Sequence, residues 1–403
     1  MQTFTGIEYV KIAIANAYGL DKELFEVRIK WVDDMVCSGL LSNPELMNVT
    51  TDNAGEPALF TSGVMALKKA LAGEPSGFML GLDACASGIQ IMGTLIGCET
   101  TCRSTGLIDP TVRADIYTAV SGVMVTELGQ AFSMSRKDIK PAVMTYFYGS
   151  KMMPIQIFGE DTPELEAFYN SLYTVAPGAV VVMDNLMNSW QPYAMDHSWV
   201  LPDGFHAYVP VMEAVDFKVE VDELDHSTFT HRVYENQGTK RGLSIAANIV
   251  HSIDGMIVRE MNRRCNYDLS IIGSVGSFLE VYLEHKNVVA DYSEFVSLRL
   301  AEQLAKNEVH LSECSDGKLV ALLEIITKTL AHSEFPIICV HDEFKCSPNN
   351  MNHLRRHYID IFAELSKSNL LEDILSQVHG VTYKCIKTGN ITALIEKSNY
   401  ALS

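Results

Sequence analysis

Apolar positions recur at helical spacing over residues 5–40 and 60–73, and both stretches predict amphipathic helices. The run Gly77-Phe-Met-Leu-Gly-Leu-Asp83 is short, apolar and ends in an acid, which predicts a buried strand. Helical spacing returns over 87–98 and 110–129. Ser135-Arg-Lys-Asp138 then has the form of a capping box, opening a helix that should stop near Gly149. Over 205–235 the period changes, and Val, Phe, Tyr and Thr alternate with polar residues. Phe217–Val221 and Phe229–Tyr234 predict two strands of a ribbon, joined through the acidic turn Asp222–His226. Helical spacing resumes over 243–262, 275–285, 293–305 and 318–331. Pro336-Ile-Ile-Cys-Val340 predicts a second short apolar strand running into His341-Asp342, and 349–378 is helical again. Helices and strands mix without a strict βαβ rhythm, so the expected class is α+β.

The chain has 403 residues, room for two or three packed units, and its 47% apolar content excludes a disordered chain. No uninterrupted apolar run reaches the ~18 residues a membrane span needs. The longest candidate, Ala176–Met183, contains Pro177 and Gly178. Residues 1–8 lack a basic n-region and an apolar h-region, so a cytosolic protein without a secretory signal is expected. With 31 basic and 50 acidic residues the net charge is −19, which argues against a nonspecific coat on nucleic acid. It leaves room for an enzyme whose basic groups are clustered or lie on a partner chain. The nine cysteines contain no Cys-x-x-Cys. The close pair Cys98 and Cys102 has no nearby His or second pair to complete a zinc site, so free thiols are expected.

Three places hold candidate chemistry. Asp83 and Asp342 each end a short apolar strand, where a carboxylate is costly to bury unless it is paired or bound to a cation. If those strands are neighbours the two acids converge. They could then hold two Mg²⁺ ions and clamp an in-line phosphoryl transfer; on pattern alone, each reads more readily as a cap or turn. In the second place, Arg136, Lys140, Met144, Phe147 and Tyr148 fall on one face of the helix opened by Ser135. Tyr148 lies ~12 Å beyond Lys140 along the axis, the reach from a nucleotide's phosphates to its sugar. An amphipathic helix with solvated cations fits the same pattern, and Pro141 removes one backbone donor. The third place is Asn248–Asp254, with His251 and Asp254 nearly on one face.

Taken in order, these segments resemble the phage-type single-subunit RNA polymerases. Asp83-Ala-Cys-Ala-Ser87-Gly88-Ile-Gln90 is similar to the family's first palm motif, and Asp115-Ile-Tyr117 matches a further element. Arg136-xxx-Lys140-xxx-Met144-Thr145-xx-Tyr148-Gly149 is similar to the fingers motif. Asn248-xx-His251-Ser-x-Asp254-Gly255 matches the histidine segment, and His341-Asp342 the last palm motif. Lys387-Thr-Gly-Asn390 through Ser403 looks like the terminal foot, and weaker likeness reaches back to Lys11–Trp31.

The resemblance implies a right-hand polymerase, α+β and largely helical. Residues 1–77 would form a helical palm-insertion-like module and 78–98 the palm with the first metal motif. Residues 99–251 would be fingers, with the nucleotide-binding helix 136–149 and the ribbon 216–235. Residues 252–403 would complete the palm, with a helical insertion at about 265–330 and the foot at 387–403. Two Mg²⁺ ions would sit on Asp83 and Asp342, with the Ala84 carbonyl as an extra ligand. Arg136 and Lys140 would hold the triphosphate, Lys140 also protonating pyrophosphate. Tyr148, beside Gly149, would sense the ribose 2′-OH with His251. Tyr117 would help seat the nucleotide or template base, and His341 would support the primer end. The implied activity is DNA-directed RNA synthesis from rNTPs on a DNA template, in the cytoplasm of an infected bacterial host.

Two departures matter. No Gly-Arg dipeptide occurs, although the family carries a catalytic arginine in Asp-x-x-Gly-Arg, and, since the likeness begins almost at Met1, the family's promoter domain and thumb are expected to be missing. In this the chain resembles the larger subunit of the split RNA polymerase of N-four-like phages. A smaller subunit is then expected to supply thumb and arginine, and a recruiting or single-stranded-DNA-binding protein to deliver template. The second departure is Glu343, since His-Asp-Glu is usual in bacterial-type DNA polymerases. That leaves a family-A-like DNA polymerase as the alternative, with a non-catalytic scaffold as a third reading.

Overall fold

The computed structural model describes residues 1–129, 132–235 and 243–403. Four helices come first: α1 (Gly6–Ala15), α2 (Phe25–Cys37), α3 (Pro44–Asp52) and α4 (Pro57–Leu71). Strand β1 (Leu80–Asp83) follows, then α5 (Ser87–Leu95), α6 (Glu99–Ser104), α7 (Ile116–Leu128) and α8 (Arg136–Tyr146). Next are α9 (Met152–Phe158), α10 (Pro163–Val175), α11 (Pro177–Asn188) and the hairpins β2–β3 (Asp196–Val200, His206–Pro210) and β4–β5 (Glu213–Val221, Ser227–Glu235). The rest comprises α12 (Leu243–Cys265), α13 (Leu269–Leu283), α14 (Arg299–Ala305), α15 (Asp316–Thr329), β6 (Ile338–Val340), β7 (Glu343–Cys346), α16 (Met351–Lys367), α17 (Leu370–His379) and α18 (Thr392–Ile395). Largely helical with small antiparallel sheets, the architecture is α+β. No helix among the described residues is long and apolar enough to cross a membrane.

The single helix expected over 5–40 is in fact two. A capping box of Thr5 and Glu8 opens α1, but the chain leaves the helix through a π-turn in which Gly19 takes φ +116°. Fully buried Arg28 on α2 fixes that corner, donating to the Asp21 and Glu23 carbonyls and to Asn16 Oδ1, each at 2.9 Å. Pro177 and Gly178 start a helix instead of breaking an apolar run. Proline has no N–H to lose at the first helical position, and a Cβ on Gly178 would lie 2.3 Å from the Cβ of Cys98. Helices α3, α6 and α9–α11 lie outside the segments expected to be helical.

The element that organises the site is a three-stranded antiparallel sheet in the order β1-β7-β6. The two apolar strands read from sequence are therefore not neighbours. Strand β7 lies between them, pairing Leu80 with Cys346 through Asp83 with Glu343 on one side and Val340 with Glu343 on the other. His341 and Asp342 form the β6–β7 turn, His341 at φ +56°. The largest apolar core packs this sheet against α5, α7, α8, α12 and α16. A second core, from Tyr267 to Ile326, belongs to α13–α15, and a third joins α1 to α4. The β4–β5 ribbon stands in solvent with Phe217, Val219 and Phe229 exposed on one face.

Candidate active site

Asp83 and Asp342 come together at one end of the sheet. Asp83 is the last residue of β1, Asp342 precedes the residue that pairs with it, and the Ala84 N–H donates to the Asp342 carbonyl at 3.1 Å. On the far side of Asp83, Leu402 bridges Ala84 and the Ser403 N–H donates to the Asp83 carbonyl at 3.0 Å. Both acids line a cleft of about 740 Å³ whose walls also carry Ala84, Tyr117, Arg136, Lys140 and Tyr148.

Residues of α8 line the same cleft. Ser135 caps α8, its hydroxyl accepting from the Asp138 N–H, and the helix runs through Pro141 without a break. It ends at Tyr146, so Tyr148 lies in the turn beyond the helix and not on it, and Gly149 closes that turn at φ +85°. Arg136 does not stand free as a solvated cation. It is bonded to Asp115, which caps α7, and its guanidinium lies 5.0 Å from the centre of the Tyr117 ring. The Lys140 ammonium lies 5.7 Å from the centre of the same ring. His251, on α12, sits with its ring centre 4.9 Å from that of Tyr148. His341 is exposed at the hairpin turn, and its charge acts on Asp342 and Asp254.

The acids repel one another. Burial, Glu343 and Asp342 push the Asp83 carboxyl up to about 6, against Lys22 and Lys345. Burial and Asp342 push Asp254 up to about 6 as well, despite a hydrogen bond from Ser87 and the charges of His251 and His341. Burial also raises Asp342, with its own backbone N–H, His341 and Lys140 opposing. Burial raises Tyr148, helped by Asp254 and Asp342. Asp254 on α12 thus feels the charge of Asp342, and His251-x-x-Asp254 on one helix face was the signal for it. Lys22, Arg113 and Lys345 also line the cleft and carried no sequence signal. Elsewhere, the ribbon turn gathers Glu220, Asp222 and His226, all exposed and bonded among themselves.

A carboxylate whose pKa is raised in the folded state stabilises the fold only when protonated. That contribution is complete below the ordinary value and is lost as pH rises through about 6. A divalent cation on these oxygens relieves the same repulsion, and only where the acids are ionised. The rise in melting temperature produced by Mg²⁺ should therefore be large at pH 7.5 and fade below about pH 6. Melting curves across pH with and without Mg²⁺ check this, and a gain independent of pH would count against cation binding here.

Carboxylates, cations and an aromatic ring lining one cleft suit a metal–polyphosphate substrate, an arrangement able to transfer phosphoryl or nucleotidyl groups. The comparisons point the same way. Residues 2–160, which include Asp83, Asp115, Tyr117 and all of α8, match the family model for DNA-dependent RNA polymerase. The chain is similar to the DNA-directed RNA polymerase of Pseudomonas phage phiKMV, 25% identical over 300 residues, a match covering 62% of this chain and 37% of the phage enzyme.

Proposed function

We propose that this chain is the palm and fingers of a phage-type, DNA-directed RNA polymerase, adding NMP from rNTP to an RNA 3′ end and releasing pyrophosphate. The observation that carries the reading is the convergence of Asp83 and Asp342 at the end of β1-β7-β6, in one cleft with Lys140 and Arg136. In this reading the sheet segment 78–98 and residues 252–403 are palm, 99–251 are fingers, 1–77 are the accessory helical module and 387–403 the foot. Residues 265–330 form an insertion, and their own apolar core supports treating them as a unit.

The acids suit hard divalent cations, because both side-chain donors are oxygen, Asp342 and Glu343 raise the Asp83 pKa, and Glu343 raises that of Asp342. Asp83 and Asp342, with the Ala84 carbonyl, would hold two Mg²⁺ ions, whose charge offsets that developing on the phosphates. Lys140 neutralises the triphosphate and gives its proton to the departing pyrophosphate. Arg136, already bonded to Asp115, contributes a fixed dipole and positions Tyr117 beneath the nucleotide. Tyr148 and His251 read the sugar, and His341 steadies the hairpin at the primer end. DNA template and nascent RNA complete the complex. The absence of any Gly-Arg dipeptide supports a split enzyme in which a smaller subunit brings thumb and arginine. One observation favours the DNA polymerase alternative: Glu343 pairs directly across from Asp83.

Primer extension decides between them. An RNA primer on a DNA template, offered rNTPs or dNTPs with Mg²⁺ and whatever subunit co-purifies, should be extended with ribonucleotides. Tyr148→Phe should narrow the rNTP preference by about tenfold or more while extension continues, because a hydroxyl-reading site loses its discriminating bond. Deoxynucleotide preference by the unmodified protein would overturn the RNA polymerase reading, and unchanged discrimination in the variant would remove Tyr148 from sugar selection.

A further inference from the structure

Between the end of α15 and α16 lies a second cleft, of about 440 Å³, whose lining includes His332, His353 and His357. Among the described residues, none lines both this cleft and the one that holds Asp83 and Asp342. His353 and His357 stand one helical turn apart on α16, and His332 follows α15 in the connection to β6. The Nε2 atoms of His332 and His357 face each other at 2.6 Å. On the far side of its ring, His332 Nδ1 lies 2.8 Å from the Ser333 carbonyl. A carbonyl can only accept, so Nδ1 carries the proton and neutral His332 turns its Nε2 lone pair toward His357. The N–H between the two rings therefore belongs to His357, which is 2% exposed.

The rings are held where they are. That of His332 packs against His353 and Phe335, centre to centre 4.6 and 5.2 Å, and the Tyr267 hydroxyl donates to the His332 carbonyl. Two imidazole nitrogens aimed at one point, one of them oriented by an N–H···O=C bond behind it, is the arrangement metal-bound histidines take. Zn–N bonds of ~2.0–2.1 Å at a tetrahedral angle need the nitrogens ~3.3 Å apart, an opening of ~0.7 Å that a small rotation of half-buried His332 supplies. The cations nearby are offset. Lys328 and Arg356 each lie 3.8 Å from Asp360, and buried Arg264 is bonded to Glu260 and Glu364. Burial, Arg264, the other two histidines and Lys328 also hold His357 well below its ordinary pKa, so the ring is neutral and able to act as a ligand at neutral pH.

We propose that His332 and His357 bind a borderline divalent transition-metal ion such as Zn²⁺ through their Nε2 atoms, with water from the cleft completing its coordination. Binding releases no net proton: the one between the rings passes from His357 Nε2 to Nδ1, and the ion takes its place. Imidazole nitrogen selects Zn²⁺ over Mg²⁺, so this ion is distinct from any held by the carboxylates of the other cleft, and the assignment is independent of what that cleft catalyses. The ion would tie the connection leaving α15, and with it the core running from Tyr267 to Ile326, to α16 of the main core.

The test is calorimetric titration of the whole chain with Zn²⁺ in excess Mg²⁺, alongside His332→Gln, His357→Gln and Asp83→Ala. His285→Gln, at an exposed histidine outside the cleft, serves as control. The unmodified chain should bind Zn²⁺ despite the Mg²⁺, and its melting temperature should rise with Zn²⁺. His332→Gln should weaken that binding by about 10²-fold, at least the cost of losing an outer-shell partner of a metal ligand, and should lose the thermal gain. His357→Gln should do the same; should this buried substitution not fold, His332→Gln decides alone. Asp83→Ala and His285→Gln should bind as the unmodified chain does. Absence of Zn²⁺ binding by the unmodified chain would overturn the proposal, as would unchanged binding by His332→Gln. Binding kept in His332→Gln and lost in Asp83→Ala would place the ion in the other cleft and refute it as well.

Discussion

Asp342→Ala is expected to lower nucleotide addition by on the order of 10³-fold or more while the chain stays folded. The backbone of residue 342 does structural work that alanine keeps, since its carbonyl accepts from the Ala84 N–H and so holds the hairpin turn against the end of β1. The side chain does the opposite of structural work. It stands among Asp83, Asp254 and Glu343, and its charge raises the pKa of both Asp83 and Asp254. Removing it should leave the melting temperature without Mg²⁺ unchanged or higher, and should shrink the stabilisation that Mg²⁺ gives at neutral pH. Primer extension and melting curves on the same preparation separate the two effects. A variant within tenfold of wild-type rate would remove Asp342 from the chemistry, and one that loses activity together with its fold would show the carboxylate to be structural.

That acids so far apart in the chain meet was legible in part. A short apolar run ending in Asp appears twice, and buried carboxylates ask for a cation or a partner. The geometry behind the meeting was not legible. Strand β7, Glu343-Phe-Lys-Cys346, alternates polar and apolar over four residues and offers too little pattern to be read as a strand, yet it separates the two apolar strands. Helix α8 was readable because its cap is local: Ser135 bonds the Asp138 N–H three residues on. Its exit was misjudged by a turn, and Tyr148 falls beyond the last helical residue. Lys22 and Arg113 show the limit most clearly. Each sits in a connection between helices, and each enters the cleft only because α1, α2 and α7 pack around the sheet, a long-range outcome without local spacing.

The same long-range packing bears on the overall charge. A net charge of −19 left room for basic groups clustered on this chain or lying on a partner chain. The cleft collects five cations of its own, three of them tied to carboxylates. A net acidic chain whose cleft mixes cations with carboxylates disfavours loose contact with phosphate backbones and favours a substrate that engages metal ions and cations at once. Net charge describes solubility and nonspecific attraction; it says little about a cleft.

The second large effect concerns stability. Arg264→Leu is expected to destabilise the chain by about 3–5 kcal/mol, because it strands buried carboxylates whose cation is gone. Arg264 is 1% exposed on α12, bonding Glu364 of α16 at 2.6 and 3.0 Å and Glu260 at 3.1 Å. Glu260 in turn accepts from the Ser297 hydroxyl and the Leu298 N–H at 2.7 and 2.8 Å, so a single guanidinium joins α12, α16 and the segment leading into α14. Burial raises the Glu364 pKa, and Arg264 opposes that rise. Without the arginine the folded-state pKa climbs further, so the penalty is greatest at high pH and shrinks as protonation relieves it. Denaturation at pH 8 and pH 5.5 should show the difference, and Arg264→Leu/Glu364→Leu should recover part of the loss, since an apolar replacement of a whole buried pair can be nearly neutral. A loss below about 1 kcal/mol at pH 8, the scale of an exposed pair, would mean water reaches the network. The consequence for the site is indirect. Asp254 lies ten residues before Arg264 on the same helix, ~15 Å along its axis, and α12 carries it and His251 to the hairpin that holds Asp342. A helix end anchored by buried charge fixes the register of that whole face, so catalytic loss in Arg264→Leu should follow unfolding and vanish at temperatures where the variant remains native.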